Sequence, residues 1–280
     1  MRKIINVLIL FALILTGTTY LHAQEDAIGE VGTSMYDIPP RWLVDMPTAG
    51  TLPRGFYNIG IRVYPGGGVI TNTDIGMSNR LSIGISYGAD KIISNENPDW
   101  NPRIEFSLKF RLIDELEYFP AITLGYNSQG NGSYSDYFER YTFKSRGFFA
   151  VASRSFYFYQ WTSGWHFGIN YSLENDFDKD DDISFFGGID ATFNYNLAII
   201  AEYDLAFNDD RGDLPEGSLN PSGGTSYNFG GKGRGYLNFG IKWLFTENLE
   251  LEASLKDILT NRKDSETITR EIRINYIDSF

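Results

Sequence analysis

Apolar residues recur at every second position over much of this chain. Tyr57, Ile59, Ile61 and Val63 alternate with Asn58, Gly60 and Arg62. Ile104, Phe106, Leu108, Phe110 and Leu112 alternate with Arg103, Glu105, Ser107, Lys109 and Arg111. A helix would mix two such sets around its circumference, whereas a strand puts them on opposite faces. The same stripe recurs in Leu81–Tyr87, Ile122–Tyr126, Trp165–Leu173, Tyr195–Leu205, Leu237–Phe245, Leu249–Leu255 and Ile272–Tyr276. Weaker strands are expected over Val69–Ile75, Arg146–Phe158 and Asp182–Thr192, and Arg146–Phe158 carries aromatics on both faces. The total is about twelve, an even number, as in single-chain bacterial barrels.

The connections add a second signal. Gly76–Asn79, Ile113–Phe119, Tyr159–Ser163, Phe193–Asn194 and Thr246–Asn248 are short. They alternate with the mostly longer Ala89–Pro102, Asn127–Ser145, Glu174–Asp181, Phe207–Gly235 and Thr260–Glu266. Only Pro65-Gly66-Gly67-Gly68 breaks the alternation. A soluble β-sandwich explains the strands but not this parity. The pattern predicts an all-β chain, a transmembrane antiparallel up-and-down β-barrel of about twelve strands. Both its ends lie on the periplasmic side. The polar face mixes Gly, Ser, Asn, Arg and Glu, and the apolar face is rich in Tyr, Trp and Phe, which suits a lipid-facing wall around a wet lumen. Leu108 is expected toward lipid and Ser107 toward the lumen.

The last strand ends on Phe280, with Tyr276 on the same apolar face. These two residues form the expected signal to the barrel assembly machinery. At the other end, basic Met1-Arg2-Lys3, the apolar run Ile4–Leu15 and Leu21-His22-Ala23 before Gln24 predict a cleaved signal peptide over 1–23. The apolar run is too short to span a bilayer. The expected organisation is then 24–54 as a periplasmic N-terminal segment or plug, and 55–280 as an outer-membrane β-barrel. Residues 24–54 hold Pro39-Pro40, Pro47 and Pro53, which disfavour a strand interior. Yet Trp42, Leu43, Val44, Met46 and Leu52 are apolar for a solvated tail. Acidic wall residues such as Glu202, Asp204, Glu250 and Glu252 are candidate partners for Arg41 and Arg54.

Composition narrows the function classes. The chain has 24 basic and 36 acidic residues, a formal net charge of −12. Removing Arg2 and Lys3 with the signal makes it more negative, which argues against a nucleic-acid partner. There is no cysteine, so there are no disulfides or thiolate sites.

Asp45-Met46-Pro47-Thr48-Ala49-Gly50, leading into the first strand, resembles the YjbH-like family of exopolysaccharide-associated outer-membrane proteins. Leu81–Gly88, Pro120–Gly125, Glu202–Asp209 and Arg270–Tyr276 resemble it too. The family-like motif is Pro47, Thr48, Ala49 and Gly50. The resemblance implies a non-enzymatic accessory role in exopolysaccharide or surface polysaccharide production or export, and supplies no catalytic residues.

No catalytic site, cofactor or metal is expected. His166 is the only histidine beyond the signal, and it reads as part of a polar lumen network near the start of its strand. Asp176-x-Asp178-x-Asp180 echoes a calcium loop, but Asp181 stands where the turn glycine belongs and Gly187 where the bidentate glutamate belongs. Arg211-Gly212-Asp213 reads as solvated loop. Gly230-Gly231-Lys232-Gly233 lacks the Ser or Thr and the strand–helix setting of a phosphate loop. The lumen-lining set is Arg62, Arg103, Glu105, Lys109, Arg111, His166, Glu202, Asp204, Lys242, Glu250, Glu252, Glu271 and Arg273. It either pairs internally or lines a narrow polar path. Trp100, Tyr134, Tyr137, Phe138 and Tyr141 form a loop collar or stack on sugars. The expected partners are outer-membrane lipid and lipopolysaccharide, the assembly machinery, and polysaccharide or export components. Two functions stay open: the polysaccharide accessory, and a small passive, porin-like channel for polar solutes.

Overall fold

The computed structural model describes residues 38–158, 161–193, 196–210 and 229–280. The expected signal peptide, Tyr195 and Arg211-Gly212-Asp213 lie outside them. The strands are β1 (Phe56–Tyr64), β2 (Gly68–Ser78), β3 (Leu81–Asp90), β4 (Asp99–Trp100), β5 (Glu105–Ile113), β6 (Ala121–Asn127), β7 (Asn131–Ser135), β8 (Arg140–Phe143), β9 (Gly147–Phe158), β10 (Trp161–Tyr171), β11 (Ser184–Phe193), β12 (Leu197–Asp204), β13 (Tyr236–Leu244), β14 (Leu249–Lys256) and β15 (Thr269–Ser279). The short β4 extends the end of β3, and β7 pairs only with β8 as a hairpin in the β6–β9 connection. The other twelve pair antiparallel in chain order, and β1 against β15 closes the ring.

Closure satisfies the strand backbone without helices, which a wall facing hydrocarbon requires. The side chains are correspondingly inside out. Along β1, Ile59 and Ile61 are exposed while Asn58 and Arg62 are buried. Phe106 is 58% exposed and its neighbour Glu105 only 1%. Phe167, Ile199, Ile241 and Ile272 continue the outward apolar belt. A patch of that extent marks a surface that meets something other than water.

The connections 79–80, 114–120 and 245–248 share one end of the ring, here the turn end, with the end of β9 beside the start of β10 and the end of β11 beside the start of β12; the opposite strand ends form the loop end. Several boundaries differ from the sequence reading: Gly76–Ser78 belong to β2, Ile113 to β5 and Phe193 to β11, where connections were expected. Strand β10 starts at Trp161, inside the expected Tyr159–Ser163 turn, because Trp161 pairs directly with Phe158 and stacks on it at 4.1 Å. His166 therefore sits mid-strand and not near the start.

Residues 38–54 run inside the ring. Leu43, Val44, Met46 and Leu52 have no exposed surface at all. Three apolar patches on the inner wall receive them. Met46 packs with Phe149, Val151 and Phe186, flanked by Trp42. Leu43 and Val44 meet Ile200. Leu52 meets Phe56 and Ile277. These contacts explain the two-faced aromatic pattern of β9: Phe148 and Phe156 face outward, while Phe149 faces this inner segment.

Candidate functional site

The inner segment folds back on itself before it meets the wall. Trp42 bridges Pro47, and the Leu43 amide donates to Met46 O at 2.8 Å. Thr48 donates its amide to Arg41 O and its hydroxyl to Pro40 O, and its Oγ1 accepts the Gly50 amide. Gly50 lies so close to Pro40 that a Cβ would come within 2.4 Å of the Pro40 carbonyl oxygen. Thr48 and Gly50 of the Pro47-Thr48-Ala49-Gly50 motif are thus the residues that hold the fold-back.

The tip exposes three amides, and one wall carboxylate takes them all. Glu202 accepts from the amides of Val44 at 3.0 Å, Asp45 at 2.9 Å and Met46 at 3.0 Å, and from Asn238 Nδ2 at 2.7 Å. Cationic wall residues take the carbonyls. Val44 O accepts from Arg62 at 3.0 Å and from Arg273 at 2.6 Å. Trp42 O accepts from Lys242 at 2.6 Å. Lys109 donates to Arg41 O at 2.8 Å and Gly50 O at 2.6 Å, and sits 5.4 Å over the Trp42 ring. The segment's own carboxylate, Asp45, lies 2.9 Å from Arg62 and 2.7 Å from Lys256. Burial alone would raise its carboxyl. Lys256 first and Arg62 next outweigh that and hold it down at about 2.

The remaining charges pair among themselves. Glu271 bonds Lys256 at 2.8 Å and lies 3.5 Å from Arg62. Glu252 lies 3.2 Å from Arg273 and 3.6 Å from Lys242. Asp204 takes Arg146 and the Ser184 hydroxyl. Glu250 accepts from Asn275 at 2.9 Å. Arg111 reaches Thr51 Oγ1, and Glu105 accepts the Tyr141 hydroxyl at 3.2 Å. Arg103 is displaced from the expected set. It precedes β5, its side chain is half exposed at the loop end, and it pairs with Glu105 at 2.9 Å. Arg41 lies 3.6 Å from Asp74 and feels Glu250 of the expected acids as well, whereas Arg54 is exposed.

His166 joins a line of three. Ser153 Oγ lies 2.7 Å from Nδ1, and Asp190 Oδ1 lies 2.8 Å from Nε2. A neutral imidazole that donates Nε2–H to Asp190 accepts the Ser153 hydroxyl at Nδ1. The composition is that of a hydrolytic triad, but Ser153 Oγ also accepts the Ala49 amide at 2.8 Å. The arrangement fixes the inner segment to the wall.

Beside the segment remains a cavity of about 650 Å3. Asn58, Asn72, Asp74, Ser107 and Asn275 give it a polar wall, and Ser153, His166 and Asp190 border it. Its lining extends from Thr162 and Leu244 near the turn end to Gln129 and Asn131 at the loop end.

Outside the lumen, Tyr276 and Phe280 face outward at the turn end, Phe280 6.2 Å from the Tyr57 ring. Trp100 stacks on Tyr87 at 5.7 Å, whereas Tyr141 is fully buried beneath the loops. Asp178, the middle of the calcium-like triplet, is committed to Lys144 at 2.8 Å and Arg140 at 3.1 Å. Among the described residues no group of three metal-ligating side chains converges.

Sequence reasoning missed Asp45, Ser153, Asp190, Arg146 and Lys256 as members of the lumen network. The inward Phe149 was the available signal, since an apolar residue on a polar lumen face requires an apolar occupant.

No family model matches the chain, and no curated protein matches it. Solved structures similar to it are barrels. The KdgM porin shares 10% identity over 80% of this chain and 99% of its own, with a TM-score of 0.43. The Acinetobacter baumannii outer membrane protein Omp33 shares 10% over 82% and 99%, with a TM-score of 0.43. Outer membrane phospholipase A from Escherichia coli shares 10% over 81% and 90%, with a TM-score of 0.34. Likeness at this level assigns neither solute nor activity.

Proposed function

We propose that this chain is a non-enzymatic barrel of the bacterial outer membrane and a narrow passive channel for small polar solutes, plugged by residues 38–54. The observation that carries the reading is the polar cavity of about 650 Å3 between the inner segment and the wall. A barrel serving only as an anchor has no need of a polar void beside a removable filling. The outward apolar belt supports the membrane setting, and the turn end would face the periplasm. Polar side chains along the cavity favour hydrophilic solutes over lipid.

The channel reading is tested by single-channel conductance in planar bilayers. Deleting 24–51 should leave a foldable barrel, since the ring is closed by β1 and β15 without the segment, and should raise conductance several-fold. A well-folded deletion variant that conducts like the full chain would refute the plug.

The accessory role in polysaccharide production is a second reading, favoured by the resemblance carried by Pro47-Thr48-Ala49-Gly50. Its test is genetic neighbourhood: glycosyltransferase and export genes beside this one support it, and a solitary gene counts against it.

A further inference from the structure

The geometry points to a second binding site, at the loop-end rim outside the lumen, that takes a small organic cation through its ammonium group on Glu174. A cavity of about 370 Å3 lies there between the β7–β8 hairpin and the start of the β10–β11 connection. That volume is in the range of small-molecule sites. Glu174 forms part of its wall and is 6% exposed. One carboxylate oxygen, Oε2, accepts the Ser145 amide at 2.8 Å. The other, Oε1, is buried without a hydrogen-bonding partner. The lumen carboxylates Asp45, Glu202 and Glu271 all have close donors, so this orphan is an exception that needs an explanation.

The surroundings select the sign of the ligand. Asp136, Glu139 and Asp176 line the same cavity. Its one guanidinium, Arg103, is already 2.9 Å from Glu105 and lies 5.9 Å over the Tyr134 ring. An anion would meet four carboxylates. A cation would meet a negative field at a wall to which Glu174, with its unpartnered buried oxygen, belongs. Burial pushes the Glu174 carboxyl up to about 7, with Glu105 adding to the rise, against the Ser145 hydrogen bond and the attraction of Arg140 and Lys144. An arriving ammonium would replace the missing donor and favour the ionised form. A bare metal ion fits poorly, since the void is large and no three ligating side chains converge among the described residues. Tyr134 and Tyr126 offer ring surface to an organic cation. An amino sugar and a polyamine share this chemistry.

The site does not depend on the channel reading, because none of its wall belongs to residues 38–54. The test is calorimetric titration of the purified full chain in detergent at pH 7. Glucosamine and spermidine are the probes, and glucose is the uncharged control. Saturable binding of at least one amine is expected, with glucose binding at least tenfold weaker; the tighter amine identifies the source. Glu174→Gln should weaken amine binding tenfold or more while gel mobility of the folded barrel is unchanged. If that variant fails to fold, Asp176→Asn, at an exposed position, should weaken binding about threefold. No saturable amine binding overturns the proposal, as does glucose binding equal to glucosamine, or unaltered affinity in the folded variants. Binding that follows only the charge of the detergent micelle, retained in Glu174→Gln, overturns it as well.

Discussion

Two parts of the lumen wall face the same interior and treat it differently. Phe149, Val151, Phe186 and Ile200, on β9, β11 and β12, are dry, each 5% exposed or less, and grip Met46, Leu43 and Val44. Asn72, Asp74 and Ser107, on β2 and β5, are partly exposed and bound the cavity, with the buried Asn58 of β1 beside them. They hydrogen-bond mainly to one another: Asn72 to Asp74 at 2.7 Å, Asn58 to Asp74 at 3.1 Å and Ser107 to Asp74 at 3.2 Å. A lumen need not be uniformly polar. Where it holds an occupant tightly it is built like a protein core, and where it leaves room it is built like a surface.

The largest test of that contrast removes the dry side's polar clasp. Glu202→Ala leaves the amides of Val44, Asp45 and Met46 buried without an acceptor. The expected loss is about 3–5 kcal/mol of inner-segment docking. Hydrogen exchange at those three amides should rise to solvent-like rates while the strand amides stay protected. Continued protection of the three would mean that apolar packing alone holds the tip.

A paired truncation compares the two walls directly. Met46→Ala removes a fully buried side chain and should cost about 2–5 kcal/mol. Ser107→Ala, beside the cavity, should cost less than about 1 kcal/mol. Comparable shifts in thermal unfolding for both would erase the distinction between dry and wet wall.

Acid gives a smaller effect than removing the Glu202 clasp. The Asp45 carboxyl sits at about 2 in the docked state, below the roughly 3.9 of an unconstrained aspartate. Because its folded value is depressed, its stabilisation is present in full above about pH 4 and is lost as pH falls toward 2. The amount is about 2 kcal/mol. Conductance of the full chain should rise between pH 4 and pH 2, and Asp45→Asn should remove that step. A step of equal size in the variant would assign it to other carboxylates.

The wall was legible in the sequence because lipid imposes a strict rule. Every second residue from Tyr57 to Val63 and from Ile104 to Leu112 must be apolar, so strand number and outward face follow from alternation alone. The interior was legible only in its charges. Glu202 reads as one more lumen acid, and nothing local says that it clasps three amides 156–158 residues away. Arg103 fits the polar phase of its stripe, but the ladder begins at Glu105, and phase cannot mark where a strand ends. The faces of β9 stayed ambiguous because Phe149 and Val151 obey the needs of the inner segment and not those of the bilayer.

The clasp also constrains the order of assembly. Several of the groups that hold Trp42 and Val44 come from far along the chain: Lys242 is 200 residues from Trp42, and Arg273 is 229 from Val44. Glu202, Lys256 and Glu271 lie in the same late half. Early in the chain Arg62 alone of the residues named above reaches the Asp45 turn, and the contacts to Glu202, Lys256 and Arg273 are of the non-local kind that form slowly. The segment precedes β1, yet its docking is complete only after β12 to β15 have taken their places. The residues translated before the first strand become the last to reach their native contacts.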